Sequence, residues 1–473
     1  MPPFFGVWPR YVAGRHRDEP VYLTIDDVRA AAYKGVLRPA AIDPAKGKTR
    51  IELLNRTRSV ARVKQILKQT DQLIVIAGVQ TPGKYLSALP AGLSEVRRLL
   101  RAYKFRKILA GPVVACGTQI RGGSPAEVAR SGDFAEMQGL DFESYEQLQR
   151  WAIKGARIVA QLPARANRVI EIETGRGCPR RVGCSFCTEP VKNPLQWRSP
   201  EYIAEEVKTF MELGERAFRL GRQSCIFSYC GGEPGQIEKL LSALSALGPE
   251  VLHIDNVNPC MVSEERTRLF VKYLTPGSTA AMGVESFDKR VVKQNNLNCS
   301  REAAFEAIRI INRIGGERGE NGCPVLLPGV NILLGLKGET AETLEENFAA
   351  LKQLLDDGLC VRRINIRQVV PFPGTPLYED TGVSVLRKNR RYYRGWIEKV
   401  RHEIDLPMLR RVFPRGTILR KLCSEVHEGD VTFLRQVGSY PIIVGVRKRL
   451  PLGEFFDVRV TGHMLRSLTG EII

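Results

Sequence analysis

The sequence predicts an α/β protein: a partial (β/α)6 barrel of the TIM type, preceded by a Rossmann-like α/β domain and followed by a small C-terminal β-barrel module. Three observations carry that expectation. From Arg168 onward, six short apolar runs recur at intervals of roughly 30–50 residues, with helical patterns between them. Residues 1–150 alternate apolar runs and helical stretches on a smaller scale. Beyond residue 413 the chain breaks into short β-rich runs cut by glycine and proline. The expected division is 1–150 for the first domain, 165–382 for the barrel, 383–412 for a basic helical linker and 413–473 for the β module.

In the first domain "VYLTI" (21–25), "QLIVIAGV" (72–79) and "RKILAGPVVA" (106–115) read as the apolar runs, with the helical "LSEVRRLLRAYK" (93–104) before the last. The polar stretch from Arg121 to Ser144 reads as an insertion or linker. The six barrel strands are expected at 168–173, 217–221, 251–256, 279–284, 330–335 and 362–369. Ser199-Pro200 supplies an N-cap followed by the residue best tolerated at the first helical position. A second helix follows Thr340, with Leu344, Phe348, Leu351 and Leu355 on one face and Gly358 as its stop.

At 473 residues the chain is too long for one ordinary core. No run approaches the ~18 apolar residues of a membrane span. The opening "MPPFFGVWPRYVAG" lacks the charged-then-apolar layout of a signal peptide. These features point to a cytoplasmic protein with no membrane partner. The formal net charge is +20, and between Arg387 and Arg449 sixteen Lys/Arg stand against six Asp/Glu. Basic charge concentrated near one end suits an anionic partner such as nucleic acid, against a plain solvated surface.

The segment "CPRRVGCSFC" (178–187) holds Cys178, Cys184 and Cys187 at spacing C-x5-C-x2-C, just beyond the first barrel strand. A structural zinc wants four ligands, and the fourth would have to come from elsewhere, such as Cys225 or Cys230. An iron–sulfur cluster with three protein thiolates keeps one iron open for a small molecule. Chance proximity is the third reading.

The aromatic Phe186 before the third cysteine, and the position of the motif at the first strand end, resemble the radical S-adenosylmethionine (SAM) superfamily. Its usual spacing is C-x3-C-x-aromatic-C, so the first interval here is two residues longer. Further matching stretches are "GVES" (283–286), "GLKGET" (335–340), "PFPGTPLY" (371–378) and "RLGRQ" (219–223), each after an expected strand, with "GGEP" (231–234) as a rival to the last. The resemblance implies a 4Fe–4S cluster on Cys178, Cys184 and Cys187, and SAM seated by Phe186, Gly283, Glu285, Ser286, Gly335 and Gly338. It also implies SAM chelation at the open iron and reductive cleavage to a 5′-deoxyadenosyl radical. An electron donor such as ferredoxin or flavodoxin is implied as partner.

Over its whole length the chain resembles a family of archaeal iron–sulfur oxidoreductases, through "ETGRGCPRRVGCSFCTEP", "LHIDNVNP", "NILLGLKGET", "RRINIRQV" and "RQVGSYPIIVG". Members of that family often carry a further helix-hairpin-helix tail, absent from this sequence as it stands to Ile473, and tend to have a strand before the equivalent of "PPFFGVWPRY", so a clipped start is expected. "LGEFFDVRVTGHMLRSLTGEII" resembles the TRAM module of tRNA methylthiotransferases, which implies RNA, and tRNA in particular, as substrate. The first domain resembles theirs or a cobalamin-binding fold. It has one cysteine, Cys116, and lacks D-x-H-x-x-G, so neither sulfur insertion nor cobalamin chemistry is supported.

Several residues admit two readings. "GVQTPGK" (78–84) nearly spells a phosphate loop, but Tyr85 stands where a hydroxyl should hold magnesium. Cys225 and Cys230, with Cys260, could anchor a second cluster or simply be buried thiols. His253 and Asp255 could face substrate or sit in the core. Arg362, Arg363 and Arg367 could grip an anion or edge a strand. Tyr392, Tyr393 and Trp396, interleaved with basic residues, could stack on bases or pack on the barrel. The alternatives to an RNA-modifying radical enzyme are a radical enzyme acting on a small molecule or protein, and a non-enzymatic RNA-binding protein with a structural metal.

Overall fold

A computed structural model describes residues 4–33, 56–78, 90–119, 121–130, 132–163 and 167–473. In chain order the strands are β1 (Phe4–Phe5), β2 (Gln72–Ile76), β3 (Arg106–Ala110), β4 (Glu136–Gln138), β5 (Val169–Glu173), β6 (Gly175–Arg176), β7 (Gln196–Trp197), β8 (Ala217–Gly221), β9 (Val251–Ile254) and β10 (Asn256–Val257). They continue with β11 (Ser278–Glu285), β12 (Leu326–Leu334), β13 (Arg363–Gln368), β14 (Ile418–Glu428), β15 (Val431–Gln436), β16 (Ile443–Val446), β17 (Phe455–His463) and β18 (Leu468–Ile472).

All six expected barrel strands form. They run parallel in the order β1-β5-β8-β9 and β10-β11-β12-β13, with β9 and β10 interrupted only at Asp255. The arc does not close, so β1 and β13 are its edges. Alternation decides what each face holds. Ile170, Ile172, Phe218, Leu220, Ile254, Met282, Val330, Ile332 and Ile364 point outward into one apolar core shared with the helices. Glu171, Glu173, Arg219, His253 and Asp255 occupy the alternate positions and are buried on the other face. Arg219 Nη2 donates to Glu171 Oε1 at 2.9 Å and lies 3.2 Å from Asp255 Oδ2.

The expected helices also form. Ser199 caps Pro200–Glu212, and Thr340 caps Ala341–Asp356, with Gly358 in the left-handed region just beyond it. Pro407 interrupts what would be one continuous helix. Lacking an N–H, it leaves a wider turn at Arg401–Asp405 between the helices Arg390–Val400 and Leu406–Val412.

The first domain contains the three-stranded parallel sheet β2-β3-β4. "VYLTI" is not a strand there. Thr24 closes a capping box with Asp27 at the start of helix Ile25–Ala32, and that local pairing overrides the β-rich composition. Phe4–Phe5, grouped with this domain in the sequence reading, pair with β5 of the barrel instead. Arg10 in the helix Val7–Arg15 reaches Glu206 at 2.6 Å, and Glu206 also holds Arg198, giving a buried Arg–Glu–Arg set at the barrel's outer wall. The stretch read as a linker folds back over the barrel: Gly123 N donates to Val369 O beyond β13. "GVQTPGK" lies, after Gly78, outside the described residues.

The C-terminal module is a closed five-stranded barrel, β14-β15-β16-β18-β17. Its core includes Leu422, Leu434, Val444, Val458 and Leu468 and runs on into Cys323 and Leu327 of the larger barrel. The module docks at the N-terminal ends of the parallel strands. Ser439 N donates to His253 Nδ1 at 3.2 Å, and Tyr440 OH donates to Asp255 Oδ1 at 2.8 Å. Gly438 permits this approach, since a Cβ there would lie 2.7 Å from His253 Cε1.

His253 is therefore a core residue, and of its two readings the core one holds. Burial holds its pKa down to about 4, against the pull of the Pro276 and Thr275 carbonyls. A histidine kept neutral in the fold contributes stability in full above pH 6.5, lost as pH falls towards 4, to about 3 kcal/mol. Urea unfolding at pH 7.5 and 4.5 should show a smaller pH difference for His253→Gln than for the wild type. An equal difference would remove His253 as the acid-sensitive contact.

Candidate active site

The cysteine loop is pinned at its base by the antiparallel pair β6–β7, Gly175 against Trp197 and Arg176 against Gln196. Between these strands Cys178, Cys184 and Cys187 are all half-buried. Glu189 Oε1 accepts from Gly177 N at 3.0 Å, and its own N–H points at Cys187 Sγ at 3.5 Å. Arg180 Nη1 lies 3.2 Å from Cys184 Sγ. Burial, then the neighbouring Cys187 thiol, pushes Cys184 up to about 12, with Cys178 adding to the effect. Cys187 is pushed up to about 11, again chiefly by burial. Two thiols whose charged forms are disfavoured in this way, Cys184 and Cys187, favour a bound cation that stabilises thiolates.

The donor set discriminates between the metal readings. Among the described residues no three His, Cys, Asp or Glu side chains converge where one ion could sit. Zinc would require such convergence. A 4Fe–4S cluster takes one thiolate per iron, so its ligands surround a volume rather than a point, and three half-buried thiols on one loop fit it. Cys225 is no fourth ligand. It is buried, and its sulfur accepts Asn258 N at 3.1 Å. Cys260 is exposed and donates to Asn298 O.

Two residues absent from the sequence reading hold the cysteine loop. Asn295 is fully buried; its Oδ1 accepts from Ser185 Oγ at 2.8 Å and Lys337 N at 3.1 Å, and its Nδ2 donates to Lys337 O at 2.8 Å. It thereby ties the cysteine loop to the "GLKGET" turn. Asn296, left-handed at φ +46°, donates to the Val182 and Gly183 carbonyls and accepts from Arg180. The "NN" pair after a short helix is a turn signal, and asparagine tolerates that conformation. Nothing in the sequence says which loop it would hold.

The expected SAM-side residues divide into two groups. Phe186 packs beneath the loop against a cluster that includes Leu336 and Val369. Gly335 and Gly338 have φ of +85° and +81°, and a Cβ at Gly338 would lie 2.1 Å from Gln294 Oε1, so both turns require glycine. Gly283 and Glu285 flank a register shift between β11 and β12. Glu285 has φ +65°, and its side chain makes no hydrogen bond or ion pair with a described residue. Burial pushes its carboxyl up to about 8, partly opposed by Arg367. Ser286 differs from the expectation for its hydroxyl, which is buried with Asn347 Oδ1 and the Asp288 N–H. "RLGRQ" ends β8, with Arg222 at φ +73°, whereas "GGEP" lies at the start of helix Pro234–Ala246, past an irregular turn.

A Radical SAM superfamily model matches residues 172–351, which span the cysteine loop and most of the barrel. The protein is a radical SAM enzyme, and its cofactors are a 4Fe–4S cluster and S-adenosylmethionine. Within that class, an uncharacterised protein of Methanocaldococcus jannaschii is 39% identical over 100% of this chain and 90% of its own length. Another from Archaeoglobus fulgidus is 37% identical over 99% and 86%. The chain belongs to the family these proteins represent. A tRNA-2-methylthio-N(6)-dimethylallyladenosine synthase of Clostridium botulinum is 24% identical over 61% of this chain and 62% of that one.

Asn295→Ala should cost about 2–3 kcal/mol, because it strands buried donors and acceptors on two loops. After anaerobic reconstitution it should hold less iron and sulfide per chain than the wild type. Equal loading would mean the loop needs no such anchor.

Proposed function

We propose that this enzyme uses its radical chemistry to modify RNA, with tRNA as the substrate, in the cytoplasm. The observation that carries this reading is the closed five-stranded barrel, continuous with the basic 387–449 stretch and docked against the radical core. Its size and chain position resemble the TRAM module, and the matched tRNA-modifying synthase supports the same substrate class. Of the helix Arg390–Val400, Tyr393 and Trp396 are not placed to stack on bases. Trp396 and Tyr393 are buried, bonded to Leu344 O and Glu339, and of the three aromatics only Tyr392 is exposed. Methylthiolation is not part of the reading, since Cys116 is the only cysteine in residues 1–150 and is buried.

In this reading Cys178, Cys184 and Cys187 hold the cluster, and Phe186, Gly283, Glu285, Gly335 and Gly338 border the SAM. Bound together, cluster and SAM supply a 5′-deoxyadenosyl radical on receipt of one electron from a ferredoxin- or flavodoxin-type donor. The chain's own part is to orient and to exclude water. The left-handed turns at Gly335 and Gly338 bring backbone, without side chains, to the cofactor. Glu285, protonated near neutral pH, can donate a hydrogen bond to a ligand hydroxyl.

Alanine at Cys178, Cys184 or Cys187 should abolish cluster absorbance and 5′-deoxyadenosine formation, while Cys225→Ala and Cys230→Ala retain both. Retention in any of the first three would displace the loop as the cluster site. Reduced wild type given SAM should form more 5′-deoxyadenosine with bulk RNA than without it. No response to RNA, with a response to a small-molecule or protein pool, would favour the alternative substrate.

A further inference from the structure

The lumen-side face of the edge strand β13 carries an unpaired row of positive charge. Ile364 and Ile366 pack outward into the core, so Arg363, Asn365 and Arg367 share the opposite face. Four residues at about 3.3 Å each set the two arginines roughly 13 Å apart along the strand. Arg363 Nε donates to Asn365 Oδ1 at 2.5 Å, and Asn365 Nδ2 donates to Asn331 Oδ1 at 2.9 Å. The Arg363 guanidinium lies 5.8 Å from the Tyr440 ring centroid and has no carboxylate partner among the described residues. Arg367 is exposed and has no hydrogen-bonding or ionic partner among them.

At the lower end the row continues onto the C-terminal barrel. Arg466, in the turn between β17 and β18, is exposed, and no described residue bonds to it. Loss of solvation, then repulsion from Arg401, Arg363 and Arg362, holds it below the ordinary guanidinium value. The nearby carboxylate, Asp405, is already paired with Arg401, which also holds Ile364 O. Arg362 is occupied by Tyr440 O and by the Phe413 ring. At the upper end Arg367 acts on Glu285. Three guanidiniums that make no salt bridge with a described residue therefore lead from the module, along the lumen-side face of β13, to the candidate active site.

We propose that this row is a phosphate track: a single-stranded RNA segment lies along the lumen-side face of β13, its phosphodiesters held by Arg466, Arg363 and Arg367. The assignment rests on the RNA reading above. It resolves a geometric difficulty in that reading, because the module docks at the N-terminal ends of the strands while the cysteine loop lies at the opposite ends. A strand held along β13 spans that distance. Guanidinium suits the task, since it stays charged and meets phosphate oxygens in a fork.

The test measures binding of bulk tRNA to the full-length protein across a salt series, for wild type, Arg363→Gln, Arg367→Gln, Arg466→Gln and the triple variant, with the triple lysine variant as charge-conserving control. Each Gln should flatten the dependence of log affinity on log salt by about 0.7, and the triple by about two, while the lysine variant keeps most of the slope. Thermal midpoints near wild type confirm folding, and each single variant tests one contact should the triple be unstable. A steep wild-type slope left unchanged in the triple would overturn the track and leave the RNA reading intact. A wild type without salt-dependent RNA affinity would overturn both. Pyrophosphate is titrated in parallel: stabilisation by it alone, lost in the triple, would overturn the RNA assignment in favour of a small phosphorylated ligand.

Discussion

The hydrogen bonds of one buried amide, Asn295, set the geometry on which the site depends. The cysteine loop and the "GLKGET" turn belong to opposite ends of the barrel sequence, and neither is regular enough to fix the other by packing alone. A buried amide with both its oxygen and its nitrogen engaged can do so. In low dielectric each bond is stronger than in water, and leaving any unmade carries the desolvation penalty of the orphaned group. The two loops are thereby coupled: moving one by an ångström breaks bonds to the other. Asn296 extends the bracket outward to Arg180, which lies against Cys184. The three thiols are thus positioned by polar contacts from residues outside their own loop.

The second constraint is a half-barrel with a charged lumen. A closed barrel fills its interior with apolar layers, but here Glu171, Arg219 and Asp255 form a buried ionic layer. Such a layer is stable only while every partner remains, because removing one strands a charge. Tyr440 completes it from the C-terminal module, so the module is part of the barrel's floor and not a loosely tethered appendage. With the floor sealed, ligands must enter from the strand tops or the unclosed side. The polar lumen suits a polar ligand above it.

The barrel was legible in the sequence because its strands are apolar on one face, short, and regularly punctuated by helices. AFRLG at 217–221 forms β8 over those same residues. The cysteine loop was legible from its spacing and the preceding strand. Other features were not. Thr24 and Asp27 made a helix start from a stretch of β-forming composition. Tyr393 and Trp396 recur at helical spacing with arginines between them, a pattern that serves base stacking and core packing equally, and only the neighbouring helix Ala341–Asp356 decides it. Ser286 lies in a motif near the site, yet the register shift at Gly283–Glu285 precedes it and its hydroxyl is turned inward. Asn295 was invisible, since a lone polar residue in a polar loop carries no sign of burial.

Backbone strain is distributed unevenly, and this bears on which residue meets the cofactor. Among the described residues five non-glycines have positive φ, and four of them, Arg222, Cys230, Glu285 and Asn296, lie in loops or strand ends near the candidate site. Each costs roughly 1–2 kcal/mol relative to an ordinary conformation. Asn296 offsets its cost with bonds to Val182, Gly183 and Arg180. Arg222 approaches Glu173 at 4.0 Å. Glu285 has no compensating bond from its side chain, and its carboxyl is desolvated as well. A conformation that the protein's own contacts do not repay, held at a strand end over the lumen, is best explained by an interaction completed only when ligand arrives. In the proposed reading Glu285 is therefore the side chain whose environment should change most on SAM binding, since its carboxyl makes no hydrogen bond of its own among the described residues.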